Sequence, residues 1–254
     1  MSAPIDVYLW ATPNSWKVTI ALEEMGLPYN AKPVAIVKGE QFKPEFLAVS
    51  PNNRIPAIVD PQGPDGAPVS VFESGAILSY LARKTGQFYP ADERGRTEVE
   101  QWLFWQMAGV GPMFGQASHF RIYAPALVDD PVKIDYATKR YDNEVSRLLG
   151  VLDGRLTGRS FVAGNYSIAD MAIYPWAAFA AHLGQDLEAF PRVQAWLTRV
   201  GTRPAVKRGM AVGADLPRNS PPPGSPEQRE FQRALFGQNA QTLAAARAEQ
   251  RSST

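Results

Sequence analysis

The sequence contains no cysteine. That absence excludes a structural disulfide, a thiolate metal site and a protein thiol nucleophile, so any thiol chemistry has to arrive on a ligand. Histidine is nearly missing too. His119 and His182 are the two in 254 residues, too few and too isolated for a metal centre or a triad, and each reads as an ordinary partly buried or surface side chain. Neither sign of charge is in excess: 26 Lys and Arg against 25 Asp and Glu leave a formal net charge of +1. Such a balance offers no electrostatic case for nucleic acid or an anionic membrane surface as partner. No apolar run is long enough to span a bilayer. The opening residues, Met1-Ser-Ala-Pro-Ile-Asp-Val7, have neither a basic n-region nor an apolar h-region. Together these absences set the expectation of a cytoplasmic protein without metal, membrane or nucleic-acid partner.

What is present describes an ordinary globular chain. Apolar residues make up 45% and charged residues 20%, and the length allows one or two domains with a real core. The most informative stretch is 50–81. Asn52-Asn53-Arg54-Ile55-Pro56 reads as a loop entering a short apolar strand, 55–60. Phe72-Glu73-Ser74-Gly75-Ala76-Ile77 reads as the end of a second strand, 69–72, turning directly into a helix at Ser74. Between them Pro61-Gln-Gly-Pro-Asp-Gly66 is a hairpin signal. Proline donates no ladder hydrogen bond, so Pro56 suits a strand entrance, and a cis Ile55-Pro56 bond would turn the Ile55 backbone outward as an open donor and acceptor. Ser74 can cap its helix, whose first amides and positive dipole end favour a carboxylate. A peptide-like edge beside an anion hole is what a small peptide ligand needs.

Around that stretch, 5–85 reads β-α-β-α-β-β-α. Ile5-Asp-Val-Tyr-Leu-Trp10 alternates as a strand, and Ala11-Thr12-Pro13-Asn14 turns into a helix carrying Val18, Ala21, Leu22 and Met25. A second strand is expected at 32–37, then a loop through Gly39 to Pro44. Strand signals stop after about residue 97. Val99, Trp102, Leu103, Gln106 and Val110 share one helical face, interrupted near Gly109-Val-Gly-Pro112. Tyr141, Val145, Leu148, Leu149, Leu152 and Leu156 form a second stripe, and both stripes read as core. Ser167-Ile-Ala-Asp170 is an acidic capping box with a folding role. Val193, Trp196, Leu197 and Val200 mark a last helix, closed at Gly201-Thr-Arg-Pro204. Residues 219–226 are a stiff proline-rich linker, and 227–250 are helix-prone. This tail, with Phe231, Leu235, Phe236 and Leu243, packs on the body, binds a partner or frays; the sequence does not choose.

The two motifs in 50–81, in this order and spacing, resemble the glutathione-binding half of the glutathione transferase superfamily. Ala11-Thr-Pro-Asn-Ser-Trp-Lys-Val18, Gly39-Glu-Gln-Phe42 and Gln101-Trp-Leu-Phe-Trp-Gln106 narrow the resemblance to the bacterial nu class, a relative of the yeast prion-forming nitrogen regulator. The resemblance runs through most of 5–210 and does not cover the tail. It implies an α/β thioredoxin-like domain, 1–88, and an all-α domain, 94–216; the linker and helical tail, 217–254, are read from composition alone. It also implies a homodimer and a glutathione-dependent disulfide-bond reductase that uses two glutathione molecules, or glutathione disulfide, at each site. Thr12 and Asn14 are then the catalytic residues at the sulfurs, although each taken alone reads equally as a helix cap. Gln41, Asn53, Arg54, Ile55, Glu73 and Ser74 bind the first glutathione: Ile55 through its backbone on the cysteinyl unit, Glu73 and Ser74 on the γ-glutamyl end, Gln41 and Arg54 on backbone and carboxylate. Arg140 reaches the carboxylate of the second, with Arg121 as its rival. Tyr8 lies inside the first strand and takes no catalytic role, and Ser15 stands where the class often has glycine. Transfer to small electrophiles and a non-catalytic glutathione-binding regulator remain as alternatives. The intact Thr12/Asn14 pair and the lack of a long Asn/Gln-rich segment favour the enzyme.

Overall fold

The computed structural model describes residues 3–128, 130–217 and 225–252. They fall into two compact units, one of Met1–Ser15, Leu27–Ile77 and Val212–Thr254, the other of Trp16–Gly26 and Leu78–Ala211.

The first unit is built on a four-stranded mixed sheet. In chain order come β1 (Ile5–Leu9), α1 (Pro13–Met25), β2 (Tyr29–Pro33), α2 (Pro44–Val49), β3 (Ala57–Asp60), β4 (Val69–Phe72) and α3 (Ser74–Thr85), with the later parts of α1 and α3 grouping with the second unit. The sheet order is β2-β1-β3-β4. β1 runs parallel to β2 and antiparallel to β3, with Val7 opposite Ile58, and β3 pairs antiparallel with β4, with Ala57 opposite Phe72. Ile5, Val7 and Leu9 are buried while Asp6 and Tyr8 are partly exposed, the alternation of a half-covered strand.

The second strand lies earlier than its apolar pattern predicts. Ile5 N–H donates to Pro28 O at 2.9 Å and Val34 N–H to Leu9 O at 2.9 Å, so pairing with β1 occupies Tyr29–Pro33. Val34 and Ile36 instead pack with Phe46, Ala57 and Tyr8, and the chain curls through 3₁₀ turns at Ile36–Lys38 and Glu40–Phe42. β2 is an exposed edge whose side chains carry little apolar signal.

The second unit's further helices are α4 (Glu93–Trp105), α5 (Gly111–Ser118), α6 (Val132–Arg155), α7 (Ile168–Ala178), α8 (Pro191–Gly201) and α9 (Pro204–Ala211). Val99, Leu103, Gln106 and Val110 are buried, as are Val145, Leu148, Leu149, Leu152 and Leu156, so both stripes are core, with Trp102 and Tyr141 half-buried at their margins. The expected interruption is a π-helical turn, Gln106–Val110, followed by Pro112 in the first turn of α5. Gly201-to-Pro204 closes α8 as expected, but that helix is not the last of the unit, because Pro204 opens α9.

The capping box at α7 forms as predicted. Ser167 Oγ accepts from Ala169 N–H at 3.3 Å, and the Asp170 carboxylate accepts from Ser167 N–H at 3.1 Å. Asp170 also accepts from Val162 N–H at 3.0 Å and Trp196 Nε1–H at 2.8 Å, tying α7 to α8 and to the segment ahead of it. Burial pushes its carboxyl up to about 6, against the downward pull of these donors.

The tail forms α10 (Pro226–Phe236) and α11 (Ala240–Ser252), grouped with the first unit. α10 packs on the Ile36–Lys38 turn and α11 on α2; Phe231 and Ala246 are buried. Of the linker expected at 219–226, residues 219–224 lie outside those described. Among the described residues no helix is long and apolar enough to cross a membrane.

Asp170→Ala leaves three buried N–H donors and the Ser167 hydroxyl without this acceptor and should cost about 3 kcal/mol or more in guanidinium unfolding. Asp170→Asn isolates the proton. The native carboxyl titrates near 6 and the unfolded one near 3.8, so its raised affinity for the proton stabilises fully below about 4 and is lost as pH rises through about 6. The stability of wild type relative to Asp170→Asn should therefore fall from pH 4 to pH 7; a pH-independent difference contradicts this assignment.

Candidate functional site

Three segments of the first unit meet at one end of its sheet. The first is the turn into α1. Thr12 sits at the N-cap, its Oγ1 accepting from Ser15 N–H at 3.4 Å while its hydroxyl donates to Ser15 Oγ at 3.3 Å. Ser15 is buried and accepts from Trp10 N–H at 3.4 Å, which ties the turn to the strand behind it. Ser15 thus closes the turn. Pro13 is the first helical residue and Asn14 the second.

The second segment enters β3. Ser50 Oγ donates to Arg54 O at 2.9 Å, and Asn53 N–H donates to Ser50 O at 2.9 Å. Asn53 adopts a left-handed φ of 49°, and the Ile55-Pro56 bond is cis. Arg54 reaches solvent; desolvation by the surrounding protein lowers its pKa, and a guanidinium stays cationic regardless.

The third segment leaves β4. Glu73 has φ 68°, and Ile77 N–H donates to Glu73 O at 2.9 Å. Glu73 therefore holds the N-cap position expected for Ser74. Ser74 is instead the first residue of α3, buried, with its N–H in the helix's open first turn.

Between these segments lies a cleft of ≈ 460 Å³, open solvent included, lined by Asn14, Asn52, Arg54, Ile55, Pro56, Phe72, Glu73 and Ser74. Asn52 Nδ2 donates to Glu73 Oε1 at 3.2 Å. The cleft offers a fixed cation, a carboxylate, two side-chain amides and the positive ends of two helices, which suits an extended, zwitterionic ligand with carboxylates at its ends.

Of the nine residues selected from sequence, Asn14, Arg54, Ile55, Glu73 and Ser74 line this cleft. Thr12 is two residues from Asn14 and does not line it. Gln41 and Asn53 are buried and hydrogen-bonded to the tail: Gln41 Nε2 to Ala234 O and Asn53 Nδ2 to Gln238 Oε1, both at 3.1 Å. Arg140 belongs to the second unit, on α6, 3.7 Å from Glu144, and Arg121 in the same unit pairs with Asp142. Asn52, Pro56 and Phe72 are lining residues that the sequence did not single out. Asn52 stood in the motif, but two adjacent asparagines cannot be told apart without the turn's geometry. Among the described residues no group of three or more His, Asp or Glu is placed to hold a metal ion.

Two family models match the chain: the glutathione S-transferase N-terminal domain over residues 11–84 and the glutathione S-transferase C-terminal domain over 117–204. Among curated relatives, disulfide-bond oxidoreductase YfcG of Escherichia coli is 48% identical over 208 residues, covering 81% of this chain and 94% of the relative. Among solved structures, a Burkholderia graminis glutathione transferase with two glutathione molecules bound per subunit is 46% identical, with TM-score 0.78 and coverage of 85% and 90%. A Pseudomonas putida glutathione transferase with one glutathione disulfide bound per subunit is 44% identical, with TM-score 0.76 and coverage of 82% and 91%.

The left-handed Glu73 gives a test of whether the site carries strain. A non-glycine residue there costs about 1–2 kcal/mol, part of which glycine returns through a more flexible unfolded chain. Glu73→Gly should therefore raise the unfolding free energy by roughly 0.5–1 kcal/mol. Destabilisation in urea titrations would show that the backbone there is unstrained.

Proposed function

This chain belongs to the glutathione S-transferase family, and we propose that it is a glutathione-dependent disulfide-bond reductase of the nu class, working with two glutathione molecules. The observation that carries this reading is the single cleft shared by Asn14, the Ile55 edge and the Glu73–Ser74 turn. The charges on its walls match the ends of glutathione. Glu73 pairs with the γ-glutamyl ammonium, and the hydroxyl and N–H of Ser74 hold the adjoining carboxylate. The Ile55 backbone meets the cysteinyl peptide, and Arg54 meets the far carboxylate. Gln41 and Asn53 add amide contacts from the neighbouring turns.

Bound this way, the thiol lies at the start of α1. A free thiol of this kind has a pKa near 8.5. The Asn14 amide, the helix N-terminus and the Thr12 hydroxyl, once it turns from Ser15 Oγ toward the ligand, stabilise its thiolate, and exchange is fastest when the attacking thiol's pKa lies close to ambient pH. The thiolate attacks one sulfur of the substrate disulfide. The other sulfur leaves with the electron pair, takes up a proton and departs as a thiol. A second glutathione thiolate then attacks the glutathione sulfur of the mixed disulfide, expelling the second product thiol and forming glutathione disulfide. The two glutathiones supply both electrons, and no protein thiol takes part because the chain has no cysteine. The two relatives holding either two glutathiones or one glutathione disulfide match the start and end of such a cycle.

We place the enzyme in the cytoplasm, where a reduced glutathione pool drives the reaction. Exposed Phe104, Val132 and Tyr136 of the second unit support a homodimer, which sedimentation equilibrium tests by returning twice 27.9 kDa.

Ser74→Ala should weaken glutathione binding by roughly 1–2 kcal/mol in calorimetry, the scale of a hydrogen bond to a charged group. Asn14→Ala and Thr12→Val should lower turnover of 2-hydroxyethyl disulfide by about 100-fold or more with little change in glutathione affinity, as expected for donors aimed at a developing anion. If both variants and the double variant keep wild-type turnover, the thiolate is stabilised elsewhere. Faster turnover of a small electrophile than of the disulfide would make the protein a transferase. Tight binding without turnover of either would make it a regulator.

A further inference from the structure

Two residues of the glutathione set are already engaged by the chain itself. Gln41 is 1% exposed and Asn53 5%. The Gln41 amide donates to Ala234 O at 3.1 Å, a carbonyl in the last turn of α10, where no intrahelical donor remains and the helix end is partly negative. The Asn53 amide donates to Gln238 Oε1 at 3.1 Å, and Gln238 Nε2 returns to Ala234 O at 2.7 Å. The end of α10 and the turn after it therefore close a small amide network over both residues.

The network is incomplete. Gln41 Oε1 is buried and has no hydrogen-bond partner among the described residues, and a buried acceptor left unserved disfavours the state that buries it. The apolar anchorage is modest. Phe231 and Ala246 are buried, but Leu235 and Leu243 are half-buried and Phe236 is exposed. The tail lies beyond both family-matched segments, 11–84 and 117–204. It is fastened through two amides that the ligand also needs, and one of those side chains is left half-satisfied.

We propose that α10 and α11 form a strap that competes with glutathione for Gln41 and Asn53. With the strap docked, glutathione reaches the Glu73–Ser74 end of the cleft without the amide contacts of Gln41 and Asn53. With the strap released, both amides turn to the ligand, and Gln41 Oε1 can accept from a peptide N–H or from water. The coupling is reciprocal: docking weakens glutathione binding by the factor by which glutathione loosens the strap. The inference rests on the glutathione reading of the cleft.

The test uses the full-length chain as wild type, Phe231→Asp and Gln238→Ala, with reduced glutathione as the probe, calorimetry for affinity and hydrogen exchange for α10. Saturating glutathione should speed amide exchange across α10 in wild type. Phe231→Asp, which ejects the anchor, should bind glutathione roughly 3–10-fold more tightly, the scale of one or two recovered neutral hydrogen bonds. Gln238→Ala should shift the affinity in the same direction by less, and it decides the matter alone if Phe231→Asp fails to fold. Unchanged affinity in the variants overturns the competition. Weaker affinity, with α10 exchange slowed by glutathione, overturns it in favour of a tail that builds the site. No binding heat in wild type or variants overturns the glutathione reading and the strap with it, an outcome distinct from the other two.

Discussion

The antiparallel register that sets Ala57 opposite Phe72 determines where a site can form in this chain. It places the residues just before β3, Ile55 and Pro56, across from those just after β4, Glu73 and Ser74. β1 in turn pairs with β3 so that Tyr8 faces Ala57. The exit of β1, the entrance of β3 and the exit of β4 thus share one end of the sheet. Two of these exits run straight into helices, α1 and α3, so two helix N-termini open onto the same cleft. A slip of one residue would exchange the two faces of β3 and move Ile58 to the face where Ala57 packs with Val34 and Phe46. The burial of Val7 and Ile58 therefore holds the site in register as well as holding the sheet together.

The sheet end was legible because its residues are punctuation. Pro56, the Pro61-to-Gly66 turn and Ser74 restrict the backbone locally, so the strand–turn–strand–helix order follows from the chain itself. The helical stripes were legible for a similar reason, since a periodic apolar face needs only some neighbour to cover it. β2 was not: its pairing comes from β1, while Tyr-Asn-Ala-Lys-Pro carries almost no period of its own. The apolar alternation of Val34 and Ile36 serves a core cluster instead. The N-cap of α3 also moved by one residue, because the left-handed turn at Glu73 is a tertiary demand and glutamate does not announce it.

Side-chain amides were the least legible part of the site. Gln41 and Asn53 stand in the right motifs, yet what they bond is decided by a tail 185 to 193 residues further on, which no local pattern can report. Ser15 shows the opposite case, a residue whose part in the turn is local, its hydroxyl joining the bonds of Thr12 and Trp10.

The missing cysteine shapes the chemistry throughout. An enzyme without its own thiol can only hold, orient and ionise the thiol of its substrate, which is what a helix start furnished with Thr12 and Asn14 is suited to do. It also makes that claim directly measurable, since every thiolate absorbing near 240 nm in a mixture of this protein and glutathione belongs to glutathione. Titration of the bound complex against pH should give a thiol pKa at least about one unit below the free value of roughly 8.5, returning toward it in Asn14→Ala. A bound thiol that titrates with the free one would contradict the account at its centre.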